Sequence, residues 1–243
     1  MPTVKQSAAR RAQRQRGLSI VELMVGVAVG LFVVAAASML VATQLSDNRR
    51  LTLETQVQQD LRAAADIITR ELRRSGHWAK ARDGVAYPGN AAVVRLSPYS
   101  AVEKAASSPF TDGNTSSTVL LSYSRSGDEA LENNWVDTNE ELGFRLTGGV
   151  IETRLGNGGW QDLTDSATLN VTRFELTMNE QPIALECTKP CAGGGTACYP
   201  QLVVRDITLA ITGQATHDSS VQRSLRSNVR LRNDLVSAGA CPP

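Results

Sequence analysis

Histidine is almost missing from this sequence, with only His77 and His217 present. Neither stands in an H-E-x-x-H arrangement, and the chain holds no G-x-S-x-G elbow and no Walker loop. These absences remove the common nucleophile–base pairs, zinc-hydrolase sites and nucleotide cradles. The expectation is a protein that is not an enzyme and has no cofactor and no metal, with both histidines in surface loops. Aromatic residues make up 5% of the chain and do not interleave with its arginines. A nucleic-acid partner is therefore not expected, because single-strand binding needs aromatic platforms beside the charge. Cysteine is confined to Cys187, Cys191, Cys198 and Cys241. Acid is absent from residues 1–17, and proline and basic charge are absent from residues 18–45.

What remains is unevenly distributed. Apolar residues are 42% and charged residues 20% of 243, enough for a core, so wholesale disorder is not expected. The formal net charge of +1 hides an asymmetry. Residues 1–17 carry Lys5, Arg10, Arg11, Arg14 and Arg16, whereas the remainder carries 20 basic against 24 acidic residues.

Leu18–Leu45 reads LSIVELMVGVAVGLFVVAAASMLVATQL, with Glu22 its single charge. As a helix rising about 1.5 Å per residue it is about 42 Å long, more than the ~30 Å hydrocarbon core. The basic tail before it stays cytoplasmic by the positive-inside rule, which places everything after it across the membrane. Three readings compete. A secretory signal has a shorter apolar region and an A-x-A-like cleavage site after it, which is not found here. A plain single-pass anchor fits the length but leaves Glu22 unexplained, since an unpaired carboxylate in lipid costs at least ~2.5 kcal/mol. The third reading gives Glu22 a partner.

Residues 46–75 contain neither Gly nor Pro, and Val57, Leu61, Ala64, Ile68 and Leu72 mark one apolar face at helical spacing. The charges between them read as a solvated face with pairs such as Asp66 and Arg70. Gly76 suits the left-handed position that ends a helix. One helix over 18–75 is predicted, about 87 Å if straight. Gly26 and Gly30 form a G-x-x-x-G inside it, either a close-approach face or the chance spacing of glycines in a Gly/Ala/Val-rich segment.

Residues 76–117 show no sustained periodicity and read as a long connecting region. Strands are expected at Thr118–Ser124, Leu142–Thr147, Gly149–Leu155, Gly159–Leu163, Leu169–Met178, Leu202–Thr212 and Val221–Leu235. Turns are expected at Gly148-Gly149 and Asn157-Gly158, the latter as a hairpin cue. Together these predict an α+β fold, a long N-terminal helix lying on an antiparallel sheet. Four cysteines in an exported domain favour two disulfides, for which three pairings exist, with Cys241 suited to tying the tail to the 187–198 loop. A zinc site of four thiolates is the alternative. The acidic stretch from Asp128-Glu129 to Glu140-Glu141 reads as a solvated loop, with calcium binding the alternative.

Arg16-Gly17-Leu18-Ser19-Ile20-Val21-Glu22-Leu23 resembles the cleavage site of type IV prepilins: a basic residue, glycine, a hydrophobic residue, Ser or Thr, two aliphatics and glutamate. The resemblance implies that prepilin peptidase cuts between Gly17 and Leu18 and that Leu18 is then N-methylated. It also implies that Glu22 pairs with the amino terminus of a neighbouring subunit and sets axial register. The segments 71–78, 143–165 and 229–233 resemble minor pilins of the PilW type. Leu18 in place of phenylalanine, and Met39 where many major pilins have a helix-kinking proline, also favour a minor subunit.

The implied organisation is a type IV pilin-like fold: basic leader 1–17, transmembrane and filament-core helix 18–45, amphipathic continuation 46–75 and globular β domain 76–243. The implied function is to prime type IV pilus assembly within a tip complex. The partners would be prepilin peptidase, other minor pilins, the major pilin and the inner membrane. The protein would sit in the inner membrane with its C-terminal domain in the periplasm, and later at the pilus tip. A J-type pseudopilin of type II secretion, and an adhesin or DNA-binding tip pilin, are the alternatives.

Overall fold

The structure, a computed structural model, describes residues 17, 19–84, 96–237 and 241. Contacts divide the chain into two compact units, residues 1–49 and 50–243. One helix, α1 (Ile20–Arg74), supplies the described helical part of the first unit and enters the second. Its bounds lie close to the expected 18–75; Leu18 and the basic leader through residue 16 lie outside the described residues.

In the first unit every described side chain is exposed. In the second, α1 buries Val57, Leu61, Ala64, Ile68 and Leu72, the face expected from the spacing, together with Ala65, Thr69 and Glu71. Each large apolar side chain so buried stabilises by about 1.5–3 kcal/mol. The helix ends at the expected glycine. Gly76 is left-handed at φ 77°, and a Cβ there would lie 3.1 Å from the Cβ of Asn233. Its N–H donates across to Ser122 O at 2.9 Å, while Asn233 Nδ2 donates to the Ser75 carbonyl at 3.1 Å. These bonds tie the helix terminus to the β structure and satisfy part of its unpaired backbone.

Among the described residues eleven strands follow: β1 (Val102–Ala105), β2 (Ser108–Pro109), β3 (Thr115–Ser116), β4 (Thr118–Ser122), β5 (Glu141–Thr147), β6 (Val150–Leu155), β7 (Gln161–Asp162), β8 (Leu169–Ala184), β9 (Gln201–Ala215), β10 (Asp218–Arg230) and β11 (Leu235–Ser237). The α+β arrangement is the one expected, but the strands form two antiparallel sheets where a single one was anticipated. The first has six strands in the order β2-β1-β4-β5-β6-β7. The second has five, β10-β9-β8-β3 with β11 also on β9. The extended segment from β3 to β4 leaves one sheet and enters the other, because Thr115 pairs with Thr177 while Thr118 pairs with Arg145. One apolar cluster joins α1 to both sheets, with Phe144, Ile151, Phe174, Leu176, Met178, Ile207, Leu209 and Ile211 among its members.

The connecting region anticipated over 76–117 is in part structured: β1, β2 and β3 lie in it, while residues 85–95 lie outside the described residues. Tyr99, Val102 and Phe110 are buried singly, separated by polar residues and turns. Isolated anchors of this kind leave no periodic signature. The tight β5–β6 turn at Gly148-Gly149 is as expected, with φ 59° and 84°. Asn157-Gly158 does not make the two-residue hairpin turn. Gly156 is left-handed instead, with its N–H bonded to Glu141 O at 2.8 Å and Gly158 N–H closing on Leu155 O at 3.1 Å. A five-residue loop then leads to β7, which is shorter than the expected 159–163.

Two long strands carry irregularities that the alternation pattern hides. In β8, Leu169 and Val171 point inward, as do Phe174, Leu176 and Met178, which have the opposite parity. A register shift between Val171 and Arg173 against β9 reconciles the two sets. The strand expected over Val221–Leu235 is interrupted: Arg230 pairs with Asp206, but Leu235 pairs with Val203. The bulged residues 231–234 make room for Arg205, a buried guanidinium at an inward position of β9. Its Nη1 donates to Ser100 O at 2.9 Å and its Nη2 to Asn233 O at 3.0 Å.

Candidate functional site

The residues around the anticipated cut begin with Gly17, which is exposed and would meet nothing within 4 Å if given a Cβ. Its immediate neighbour Leu18 lies outside the described residues. Ser19 comes next and precedes the helix. Its carbonyl accepts from Leu23 N–H at 3.0 Å, which begins the helical ladder, and Glu22 lies in the first turn. Ser19-x-x-Glu22 has the spacing of a capping box, and a carboxylate at a helix start is favoured by the macrodipole. Glu22 is exposed and makes no ion pair within the chain among the described residues. This helical start therefore presents an acid and a small-residue approach, with no internal partner for the charge.

Beyond it, Ile20, Phe32 and Met39 are 78%, 80% and 78% exposed, and the most apolar window of α1 has a mean hydropathy of 2.5 with none of it buried. A continuous apolar surface of that length requires lipid or other helices around it. Built Cβ atoms at Gly26 and Gly30 also meet nothing within 4 Å, so neither glycine is required by packing inside this chain.

Residues 12–38 match the prokaryotic N-terminal methylation motif. Residues 50–231 match the family of prepilin peptidase-dependent protein B, three quarters of the chain. The chain belongs to that family. No curated protein and no solved structure matches it. A prepilin peptidase-dependent protein B with the methylation motif is a minor pilin in the general sense, and its apolar N-terminal helix is consistent with anchoring in the inner membrane.

The other candidate residues of this prepilin peptidase-dependent protein fall into separate places. Cys187 is bonded to Cys241, and Cys191 to Cys198, with Cα–Cα distances of 5.4 and 5.7 Å. The tail is thus tied to the β8–β9 loop, and the four sulfurs are not thiolates available to zinc. His77 and His217 are both exposed.

The acidic stretch is not the plain solvated loop anticipated. Glu132 and Glu140 are buried and converge on Tyr99, which is itself fully buried. The phenol oxygen lies 2.7 Å from Glu140 Oε2, 3.1 Å from Glu132 Oε1 and 3.0 Å from the Trp135 carbonyl. Further donors complete the cluster: Asn134 N–H to Glu132 Oε1 at 2.8 Å, Arg125 N–H to Glu140 Oε1 at 3.0 Å, and Asp137 N–H to Glu140 Oε2 at 3.0 Å. Burial pushes the Tyr99 phenol well above its usual range, helped by its bonds to Glu140 and Glu132. Burial also acts to raise Glu132, but Ser124, the Asn134 amide, Tyr99 and the charge of Lys80 outweigh it and hold the carboxyl below its usual range. These carboxylates have their hydrogen bonds filled by the protein and order the loop. No signal in the sequence alone pairs Tyr99 with acids more than thirty residues away.

A second feature missed at the sequence level is a stacked set on the outer face of the first sheet. Trp160 lies over Gly143, where a Cβ would come within 2.9 Å of its Cη2. The guanidinium of Arg145 lies 4.3 Å from the Trp160 ring centroid and that of Arg154 5.7 Å. Gly143 is thus required by close approach of the indole.

Proposed function

We propose that this minor pilin primes type IV pilus assembly as a PilW-type subunit in a tip complex, and that it acts without catalysis. Prepilin peptidase cuts between Gly17 and Leu18, Leu18 becomes the methylated amino terminus, and Glu22 pairs with the amino terminus of an adjacent pilin. The observation that carries the reading is a single uncompensated carboxylate at the start of a helix whose apolar first part, through residue 49, is exposed throughout. Burying that helix among other pilins, minor and major, removes apolar surface from lipid-like surroundings only if Glu22 finds a cation. The retained helix keeps the protein in the inner membrane before assembly, with the folded unit on the periplasmic side, and filament entry carries it to the cell surface.

The test uses a strain lacking the gene and complemented with the full chain. Glu22→Ala is expected to be cleaved normally on immunoblots but to leave few or no surface pili by electron microscopy. Wild-type piliation by that variant sinks the proposal. Loss of exoprotein release with intact pili in the deletion strain would instead assign the chain to type II secretion.

A further inference from the structure

A cavity of about 550 Å³ opens where three segments of the second unit meet, lined by Arg70, Arg73, Arg74, Arg125, Arg232 and His77, with Ser124, Ser126 and Asn233 between them. No carboxylate among the described residues lines it. The nearest acid in the hydrogen-bond network is Glu71, and both its oxygens are already engaged. Oε1 is 3.3 Å from Arg70 Nε, while Oε2 accepts from the Tyr123 hydroxyl at 3.0 Å and lies 3.5 Å from Arg74 Nη1. Arg74 is further fixed by stacking 4.4 Å from the Tyr123 ring centroid. Arg125 uses one guanidinium nitrogen on the Asn139 carbonyl at 3.1 Å, and it, Arg73 and Arg232 have no carboxylate partner among the described residues.

Five arginines therefore line one space beside a single, fully used negative charge. The negative end of α1 accounts for Arg73 and Arg74, which lie in its last turn. It does not account for Arg125, brought in by the loop after β4, or Arg232, brought in by the bulge between β10 and β11. Gathering them costs mutual repulsion, which water screens in part because all five are exposed, and a bound anion lowers it further.

We propose that this cavity binds a phosphate group carrying two negative charges, free or on a lipid headgroup. Guanidinium groups present paired N–H donors that match phosphate oxygens bidentately. A phosphate monoester or pyrophosphate concentrates about two or more charges on a compact centre, whereas a carboxylate brings one. Convergence of three chain segments on one concavity suits a compact, multiply charged group better than an extended acidic peptide, which a linear basic strip would serve.

The test is calorimetric titration of the full chain in non-ionic detergent with inorganic pyrophosphate, against sodium chloride of equal ionic strength. Saturable binding is expected, weakened about tenfold or more in the double variant Arg125→Gln/Arg232→Gln. Arg226→Gln, on the exposed side of β10, should bind as the parent does. Thermal melts of the unligated variants guard against misfolding, and Arg73→Gln provides a second single-site variant. Micelles doped with phosphatidic acid, whose headgroup is a phosphate monoester, or with phosphatidylcholine separate the sources. Arginine-dependent binding to the anionic lipid that exceeds the pyrophosphate response assigns a headgroup; a pyrophosphate response alone assigns a free phosphate. No binding beyond the chloride control, equal loss in Arg226→Gln, or tighter binding of poly-glutamate than of pyrophosphate overturns the proposal.

Discussion

Glu132 illustrates how a residue's role is decided by neighbours it does not meet in the sequence. It is 4% exposed, accepts from the Asn134 amide and shares the Tyr99 hydroxyl with Glu140. Its folded carboxyl is held below the ordinary value of 4.5, so the unfolded chain binds its proton more readily. The resulting stability is present above that value and is lost as pH falls through the lower folded value. Acid titration of unfolding midpoints, followed by tryptophan fluorescence of the full chain in detergent, is expected to show a drop beginning near 4.5. In Glu132→Gln that part of the drop should be absent, with lower stability at neutral pH; an unchanged acid limb would refute the assignment. Glu22 differs in kind. Its place in the eight-residue motif is legible from the sequence, because that recognition is local, whereas Tyr99 with Glu132 and Glu140 required the fold.

At the scale of elements, α1 and β9 meet at a glycine. A Cβ on Gly213 would lie 2.7 Å from Leu169 Cδ1 and 3.3 Å from Leu61 Cδ2, both core side chains. Gly213→Ala is expected to lower unfolding free energy by about 1–3 kcal/mol through overpacking, measured by chemical denaturation. A neutral result would mean that helix and strand separate freely there. The two disulfides make a second element-scale prediction. The closed loops differ greatly, with separations of 54 residues for Cys187–Cys241 and 7 for Cys191–Cys198. Chain entropy assigns them about 4 and about 2 kcal/mol. Serine pairs at Cys187/Cys241 should therefore destabilise more than serine pairs at Cys191/Cys198 in parallel denaturation curves. The reverse order would show that strain or residual structure outweighs loop closure. All three possible pairings tie Cys241 to the loop, and only the spatial approach of the tail selected Cys187 as its partner.

For the whole molecule, the division at residue 50 separates a segment whose described side chains are all exposed from a unit with its own continuous core. A chain of residues 50–243 is expected to be soluble and cooperatively folded without detergent, while the full chain partitions with membranes. Aggregation of the shorter chain, or its lack of a thermal transition, would show that the first unit supports the second. What the sequence by itself determined is the long helix, its apolar face, its stop at Gly76, most strands of the β domain and the motif around Gly17 and Glu22. Each rests on local spacing: a helix repeats every 3.6 residues, a strand every two, and a cleavage motif occupies one short segment. Only the tertiary structure decided that there are two sheets, where β8 and the β10–β11 edge break register, which cysteines pair, and that Tyr99 sits between two acids. Those outcomes depend on contacts between residues far apart in the chain, and a charge such as Arg205 at an inward strand position becomes tolerable only once the Ser100 and Asn233 carbonyls reach it.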